Sequence, residues 1–182
     1  MSAPAMLGCG PKELRQKDDF YPTPPEGTRA LLSVETFTGP IWEPACGAGH
    51  LSKELEAAGY DVVSTDLVDR GYGEAGVDFL MEWQGRAPNI VTNPPFKLAE
   101  QFVERALALA TGKICMLARI QFLEGAQRRT LFQKNPPRRV WVFSKRLTMT
   151  ANDTAEAKGG MLTFAWFVWE SGYAGSPELG WL

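Results

Sequence analysis

The stretch from Ile41 to Thr65 constrains the fold more than any other part of the chain. A short apolar run, Ile41-Trp42, opens into Glu43-Pro44-Ala45-Cys46-Gly47-Ala48-Gly49, and the chain is then amphipathic from His50-Leu51 to Ala58. Gly59 stops that helical pattern, and Tyr60-Asp61-Val62-Val63-Ser64-Thr65 follows, rich in β-branched residues. Strand, glycine-bearing loop, helix and strand in this order form a βαβ unit, whose parallel strands belong in a sheet covered on both faces. The alternation extends both ways. Pro24-Pro25 precedes a helix through Thr28-Arg29-Ala30-Leu31-Leu32, since proline suits a first helical turn. Asn89-Ile90-Val91-Thr92 reads as a strand ending on Asn93, and Leu98 to Ala110 as a helix with Leu98, Phe102, Ala106 and Leu109 at helical spacing. Lys113 to Leu117 is a strand and Ala126 to Gln133 a helix. Val140 to Phe143 and Met161 to Trp169 are strands with no helix between them. The expected class is α/β, a doubly wound, mostly parallel sheet with an antiparallel C-terminal edge strand. On this reading Trp166-Phe167-Val168-Trp169 is a buried strand rather than a stacking platform.

The chain has 182 residues, enough for one domain with a substantial core. Residues 1–17 read as a loose polar tail and 18–182 as a single domain. No apolar run approaches a membrane span, and the start lacks the pattern of a secretory signal. Cys9, Cys46 and Cys115 are odd in number and scattered. They argue against a disulfide framework or a zinc site and suggest the reducing cytoplasm. With His50 as the sole histidine, a metal site of several imidazoles is excluded, so no metal is expected and the chemistry falls to a cofactor. Charge is unevenly spread. Residues 1–100 hold 8 Lys and Arg against 15 Asp and Glu, whereas 101–182 hold 11 against 6. Within 119–146 the bases Arg119, Arg128, Arg129, Lys134, Arg138, Arg139, Lys145 and Arg146 face one acid, Glu124. Such a strip suits phosphate contacts, though a solvated basic surface has the same composition.

Open parallel sheets bind ligands outside the carboxyl ends of their strands. The loop Glu43 to Gly49 sits at such an end, where glycines let the backbone turn and approach a ligand. It lacks the third glycine of a dinucleotide fingerprint, because Ser52 stands there. Asp66 ends the next strand about 20 residues on, where a carboxylate takes ribose hydroxyls or caps a helix. Asp78-Phe79 offers an acceptor for an adenine amine and a ring for its face, or else a turn and a core side chain. Together these features point to a nucleoside cofactor.

Asn93-Pro94-Pro95-Phe96 follows a strand and precedes a helix. A conjugated base amine is a poor nucleophile because its lone pair is delocalised into the ring. Acceptors on its two N–H bonds favour a more tetrahedral nitrogen. The Asn93 side-chain oxygen and the Pro94 carbonyl are such acceptors, and the prolines stiffen the loop. Phe96 offers a ring for a base extruded from its helix. The same four residues also make an ordinary turn.

These motifs resemble the class I S-adenosylmethionine-dependent methyltransferases, in particular DNA adenine-N6 methyltransferases of the small phage or prophage type. The resemblance covers about residues 18–170, in the γ-type order of cofactor motif before catalytic motif. It implies a Rossmann-like sheet and S-adenosylmethionine as cofactor. In the N-terminal motif Phe20 to Pro25, Tyr21, Thr23 and Pro24 would lie at the methionine end. Glu43, Ala45, Cys46 and Gly47 would surround the methionine, Asp66 and Leu67 the ribose, and Asp78 and Phe79 the adenine. Asn93, Pro94, Pro95 and Phe96 would be the catalytic loop, with Asn93 also touching the cofactor. DNA is the implied partner, with Arg119, Arg128, Arg129, Lys145, Arg146 and Lys158 as contacts. The 150–160 segment is expected to be mobile without nucleic acid. No separate target-recognition domain fits the length. RNA adenine or guanine N2 is the second substrate expectation. A nucleic-acid-binding relative that has lost transfer is a third.

Overall fold

The computed structural model describes residues 20–147, 149 and 162–182; the tail expected over 1–17, the segment 150–160 for which mobility is expected, and Lys158 lie outside them. Helix α1 spans Pro25–Val34, with proline at its first position as its fixed φ allows. Strand β1, Ile41–Glu43, leads through the glycine loop to α2, His50–Ala57. Strand β2 is Val62–Asp66. It starts later than its β-branched pattern suggests, because Gly59 at φ 91° turns the chain and the Tyr60 amide still donates to the Leu55 carbonyl of α2. A two-residue strand β3, Glu74–Ala75, precedes β4, Asn89–Thr92, and helix α3, Ala99–Leu109. Then come β5 (Lys113–Arg119), α4 (Ala126–Lys134), β6 (Arg139–Val142), β7 (Phe164–Glu170) and β8 (Glu178–Trp181).

The eight strands form one sheet in the order β3-β2-β1-β4-β5-β7-β6-β8. Strands β3, β2, β1, β4 and β5 are mutually parallel, as the βαβ alternation requires. The antiparallel element expected on the C-terminal side is β7, and it is flanked on both sides by β5 and β6. The outermost strand is β8, parallel to β6. β3 has two residues and β8 alternates Leu179 and Trp181 over only four, too short for a pattern to mark either, so pairing makes them strands. β5 runs to Arg119, beyond its apolar run, because the β7 ladder continues to Arg119 opposite Phe164.

Both faces of the sheet are covered. Ile41, Val91, Leu117 and Trp166 pack with Leu31 of α1 and Leu51 and Leu55 of α2. Trp42, Ile90, Met116 and Phe167 face the other way, against Phe102 and Val103 of α3 and Leu131 of α4. Each fully buried leucine or isoleucine of these layers contributes about 1.5–3 kcal/mol relative to exposure. The chain reverses direction across the sheet between β1 and β4, with β2 and β3 on one side and β5 on the other. This switch point opens a crevice at the carboxyl ends. Among the described residues no helix is long and apolar enough to cross a membrane.

Two buried carboxyl groups hold the frame. Glu35, which caps α1, accepts from Arg139 Nη2 and Lys113 Nζ at 2.8 Å and from Trp141 Nε1 at 2.9 Å. It thereby ties α1 to the first residues of β5 and β6. Burial alone would raise its pKa, but the hydrogen bonds from Arg139, Lys113 and Trp141 prevail and hold it below the usual value. Glu43 ends β1 and is bonded by Ser52 of α2, whose hydroxyl also meets Ser64 of β2 at 2.7 Å. Burial outweighs the Ser52 bonds and, with the nearby Asp66 and Glu56, pushes Glu43 up to about 8, so it is protonated at neutral pH.

Removing Glu35 takes from the partly buried Lys113 and Arg139 the carboxylate they share and leaves only the Thr36 carbonyl and the more distant Glu170, so Glu35→Ala is expected to lose about 3 kcal/mol of unfolding free energy in urea titration. Because the folded pKa is depressed, the wild-type advantage should be complete above the ordinary value of 4.5 and fade as pH falls below it. Glu43 has the opposite sign. Its raised pKa favours the folded state below 4.5, and that contribution is lost as pH rises toward about 8. The urea midpoint of Glu43→Gln should therefore fall less between pH 5 and pH 9 than that of the unchanged protein.

Candidate active site

Strands β1, β2 and β4 end side by side, and the loops leaving them enclose a cavity of about 440 Å³. The Glu43–Gly49 loop is shaped by two left-handed glycines, Gly47 at φ 56° and Gly49 at φ 80°. A Cβ on Gly47 would run into the Phe20 ring, so both backbone angle and close approach require glycine there. The loop is fastened to β2 twice. The Cys46 amide donates to the Thr65 carbonyl at 3.0 Å, and the Gly47 amide donates to Asp66 Oδ2 at 2.8 Å. Asp66 Oδ1 accepts from the Val68 amide at 2.8 Å. Each carboxylate oxygen retains a second lone pair, so Asp66 can order the loop and still accept from two vicinal hydroxyls. Beneath it, Trp42 Nε1 donates to buried Thr65 Oγ1 at 2.9 Å, fixing β1 against β2.

Asn93 leaves β4 between the cavity and the segment Phe20–Thr23. Its Nδ2 donates to the Tyr21 carbonyl at 2.9 Å and Thr23 Oγ1 at 3.1 Å, and lies 3.8 Å from Met149 Sδ. The carbonyl can only accept, which sets the orientation of the amide. Asn93 Oδ1 is then buried with no hydrogen-bond partner among the described residues. Such an orphan acceptor is costly unless something donates to it.

Tyr21, Thr23, Glu43, Ala45, Cys46, Asp66, Leu67, Asp78, Phe79, Asn93, Pro94 and Pro95 all line the one cavity. Pro24 and Gly47 stand beside lining residues without lining it themselves. Asp78 Oδ1 accepts from the Leu80 amide at 3.0 Å, capping a short 3-10 turn. Phe79 is 2% exposed and packs edge-on against Trp42, so most of its ring belongs to the core. Phe96 differs from the other three residues of its tetrapeptide. It stacks on Tyr21 with centroids 5.5 Å apart, and the Arg119 guanidinium lies 4.5 Å over its ring. The face expected to receive a base thus has a cation over it.

The basic strip of 119–146 does not form one surface. Arg138 pairs with Glu170 and Arg139 with Glu35 at the amino ends of β5 and β6, away from the cavity. Arg128 Nε donates to the Glu124 carbonyl at 2.6 Å. Arg129 lies in the first turn of α4. Lys145 and Arg146 are exposed beyond the carboxyl end of β6. The cavity also takes in Phe20, the first residue of the N-terminal motif, and His50, Arg70, Leu80 and Lys97, which were not expected in the site. His50 could have been found as the first residue of a helix leaving a glycine loop. Arg70, whose guanidinium lies 4.3 Å over Phe20, sits in irregular chain that carries no periodic signal. No cluster of potential metal ligands occurs among the described residues.

No family model matches the sequence, and no curated protein matches it. Solved structures do match the fold. A candidate RNA methyltransferase from Pyrococcus horikoshii superposes with a TM-score of 0.65 at 15% identity, over 89% of this chain and 90% of that one. The modification subunit of a candidate type I restriction enzyme from Vibrio vulnificus gives 0.61 at 13% identity, over 87% of this chain and 46% of that subunit. Magnesium protoporphyrin IX methyltransferase from Synechocystis, solved with bound S-adenosylmethionine, gives 0.52 at 13% identity, over 80% and 76%. The chain has the Rossmann-like fold of the class I methyltransferases.

Proposed function

We propose that the chain transfers a methyl group from S-adenosylmethionine to the exocyclic N6 of adenine in DNA, acting on a base extruded from its helix. The observation that carries this reading is the Asn93 amide. Its nitrogen is committed to Tyr21 and Thr23, and its buried oxygen is left without a donor. An amine N–H entering the site would satisfy that oxygen. The Pro94 carbonyl is the second acceptor, held stiffly between two prolines. With both N–H bonds accepted, the nitrogen lone pair is less conjugated and can attack. The proton leaves afterwards from a cationic amine, so no strong side-chain base is needed and positioning provides the rate gain.

The cavity residues fit S-adenosylmethionine. Asp66 would accept from the ribose hydroxyls, Asp78 would meet the adenine amine, and the Gly47 loop with Tyr21 and Thr23 would hold the methionine end. When bound, this cofactor supplies an electrophilic methyl group on a sulfonium. Residues 18–182 would act as one methyltransferase domain. Arg128, Arg129, Lys145, Arg146 and Lys158 would then be candidate phosphate contacts. RNA adenine or guanine N2 is the second reading, favoured by the likeness to the Pyrococcus protein.

Incubation with labelled S-adenosylmethionine and DNA or RNA, followed by nucleoside mass spectrometry, should yield N6-methyldeoxyadenosine. Methylguanosine alone would overturn the adenine assignment. Asn93→Ala should still bind S-adenosylhomocysteine, more weakly only to the extent that Tyr21 and Thr23 loosen, yet transfer at least about 100-fold more slowly, the loss typical of one oriented polar group. Asp66→Ala should weaken S-adenosylhomocysteine binding by about 10-fold or more in calorimetry, as expected for a charged acceptor.

A further inference from the structure

Arg119 is placed unlike the other arginines of the basic strip whose partners are known. Arg128, Arg138 and Arg139 each donate to a carbonyl or carboxylate. Arg119 has no such partner among the described residues; its Nε, like that of Arg138, is buried with no acceptor, but Arg138 is neutralised by Glu170 through Nη1 and Arg119 by nothing comparable. The attraction between a guanidinium and a ring accounts for its seat 4.5 Å over Phe96, but not for the unpaired donor. The backbone beneath is firmly set. Arg119 pairs with Phe164 in the β5–β7 ladder, and the next amide, of Ile120, donates to the Thr163 carbonyl at 2.9 Å. One strand away, where Thr92 of β4 lies opposite Met116 of β5, Asn93 carries the orphan acceptor. The adjoining strand ends thus hold the unsatisfied buried acceptor of Asn93, with the unpaired Thr92 hydroxyl beside it in the chain, and the unsatisfied buried donor of Arg119.

We propose that Arg119 reads the ring nitrogen beside the reacting amine, donating to it while Asn93 Oδ1 accepts from the amine itself. The inference rests on the methyl-transfer reading above. Adenine offers this complement, an amine donor flanked by the ring acceptors N1 and N7. Cytosine offers N4 beside N3. Thymine and uracil have no exocyclic amine and leave Asn93 unsatisfied. A solvent-facing phosphate fits less well, because the unpaired Nε is buried. A base taking the Phe96 face displaces the guanidinium sideways, toward the base edge. Arg119 is then a specificity residue that holds the place of the base in the free protein.

The test is a substrate-atom and side-chain cycle. Oligonucleotides with one target adenine, 7-deazaadenine or 1-deazaadenine are methylated by the unchanged protein, by Arg119→Met and by Arg119→Lys. The unchanged protein should lose about 10- to 100-fold in kcat/KM on the analogue that lacks the contacted nitrogen, as for a hydrogen bond to a charged donor. Arg119→Met should lose a similar factor on adenine and nothing further on that analogue, with melting temperature and S-adenosylhomocysteine binding unchanged. Arg119→Lys keeps the charge without the fork and carries the cycle if the Met variant does not fold. Multiplicative losses in the cycle would overturn the proposal. So would a uniform weakening on all three substrates with a salt slope reduced by about one, the signature of a phosphate contact. Failure of the unchanged protein to methylate any base would count against the function, not against Arg119. If the methylated base is cytosine or guanine, the cycle is run with its 3-deaza analogue.

Discussion

Parallel pairing is the constraint on which the rest of this molecule depends. Strands β2, β1, β4 and β5 run the same way, so each must be reached by a crossover, and all their carboxyl ends lie along one edge. The polar side chains divide accordingly. At the amino ends, Glu35, Lys113, Arg138, Arg139 and Glu170 neutralise one another and fasten α1, β5, β6 and β7 together. At the carboxyl ends, Asp66 and Asn93 have hydrogen-bonding capacity to spare. The antiparallel β7 spans both edges, with Glu170 among the ion pairs and Phe164 against Phe96.

The two buried glutamates show how neighbours decide what burial does. Both lose solvation, which disfavours the charged form. Glu35 is met by an arginine, a lysine and an indole N–H and stays ionised. Glu43 has only the hydroxyl and backbone amide of Ser52 to donate and two carboxylates nearby, and it holds its proton at neutral pH. A neutral Glu43 leaves Asp66 as the carboxylate that fastens the glycine loop, through the Gly47 amide.

Asn93 joins the two halves of the site. Its amide nitrogen ties the Tyr21–Thr23 segment, which borders the cavity, to the loop proposed for catalysis. Tyr21 in turn stacks on Phe96, and Arg119 covers Phe96. A change in how the cavity is filled at Tyr21 thereby reaches the residues that would receive the base.

The local chain determined a good deal of this protein. The β-branched runs, the Pro24-Pro25 start of α1 and the glycines after Trp42 and Ala58 mark the βαβ units, because side-chain periodicity and special backbone angles are properties of neighbours in sequence. Motif order brought Thr23, Glu43, Asp66, Asp78 and Asn93 to one cavity in anticipation, since any parallel sheet gathers its strand ends. Tertiary structure alone decided the remainder. β3 and β8 exist only because a partner strand offers a ladder. Phe79 is core because Trp42 and Phe102 surround it. The basic strip is divided because its middle, Arg138 and Arg139, begins a strand whose start faces acids more than 30 residues away in the chain. The orphan oxygen of Asn93 and the orphan donor of Arg119 depend on which groups fold leaves unmatched, and no spacing in the chain records that.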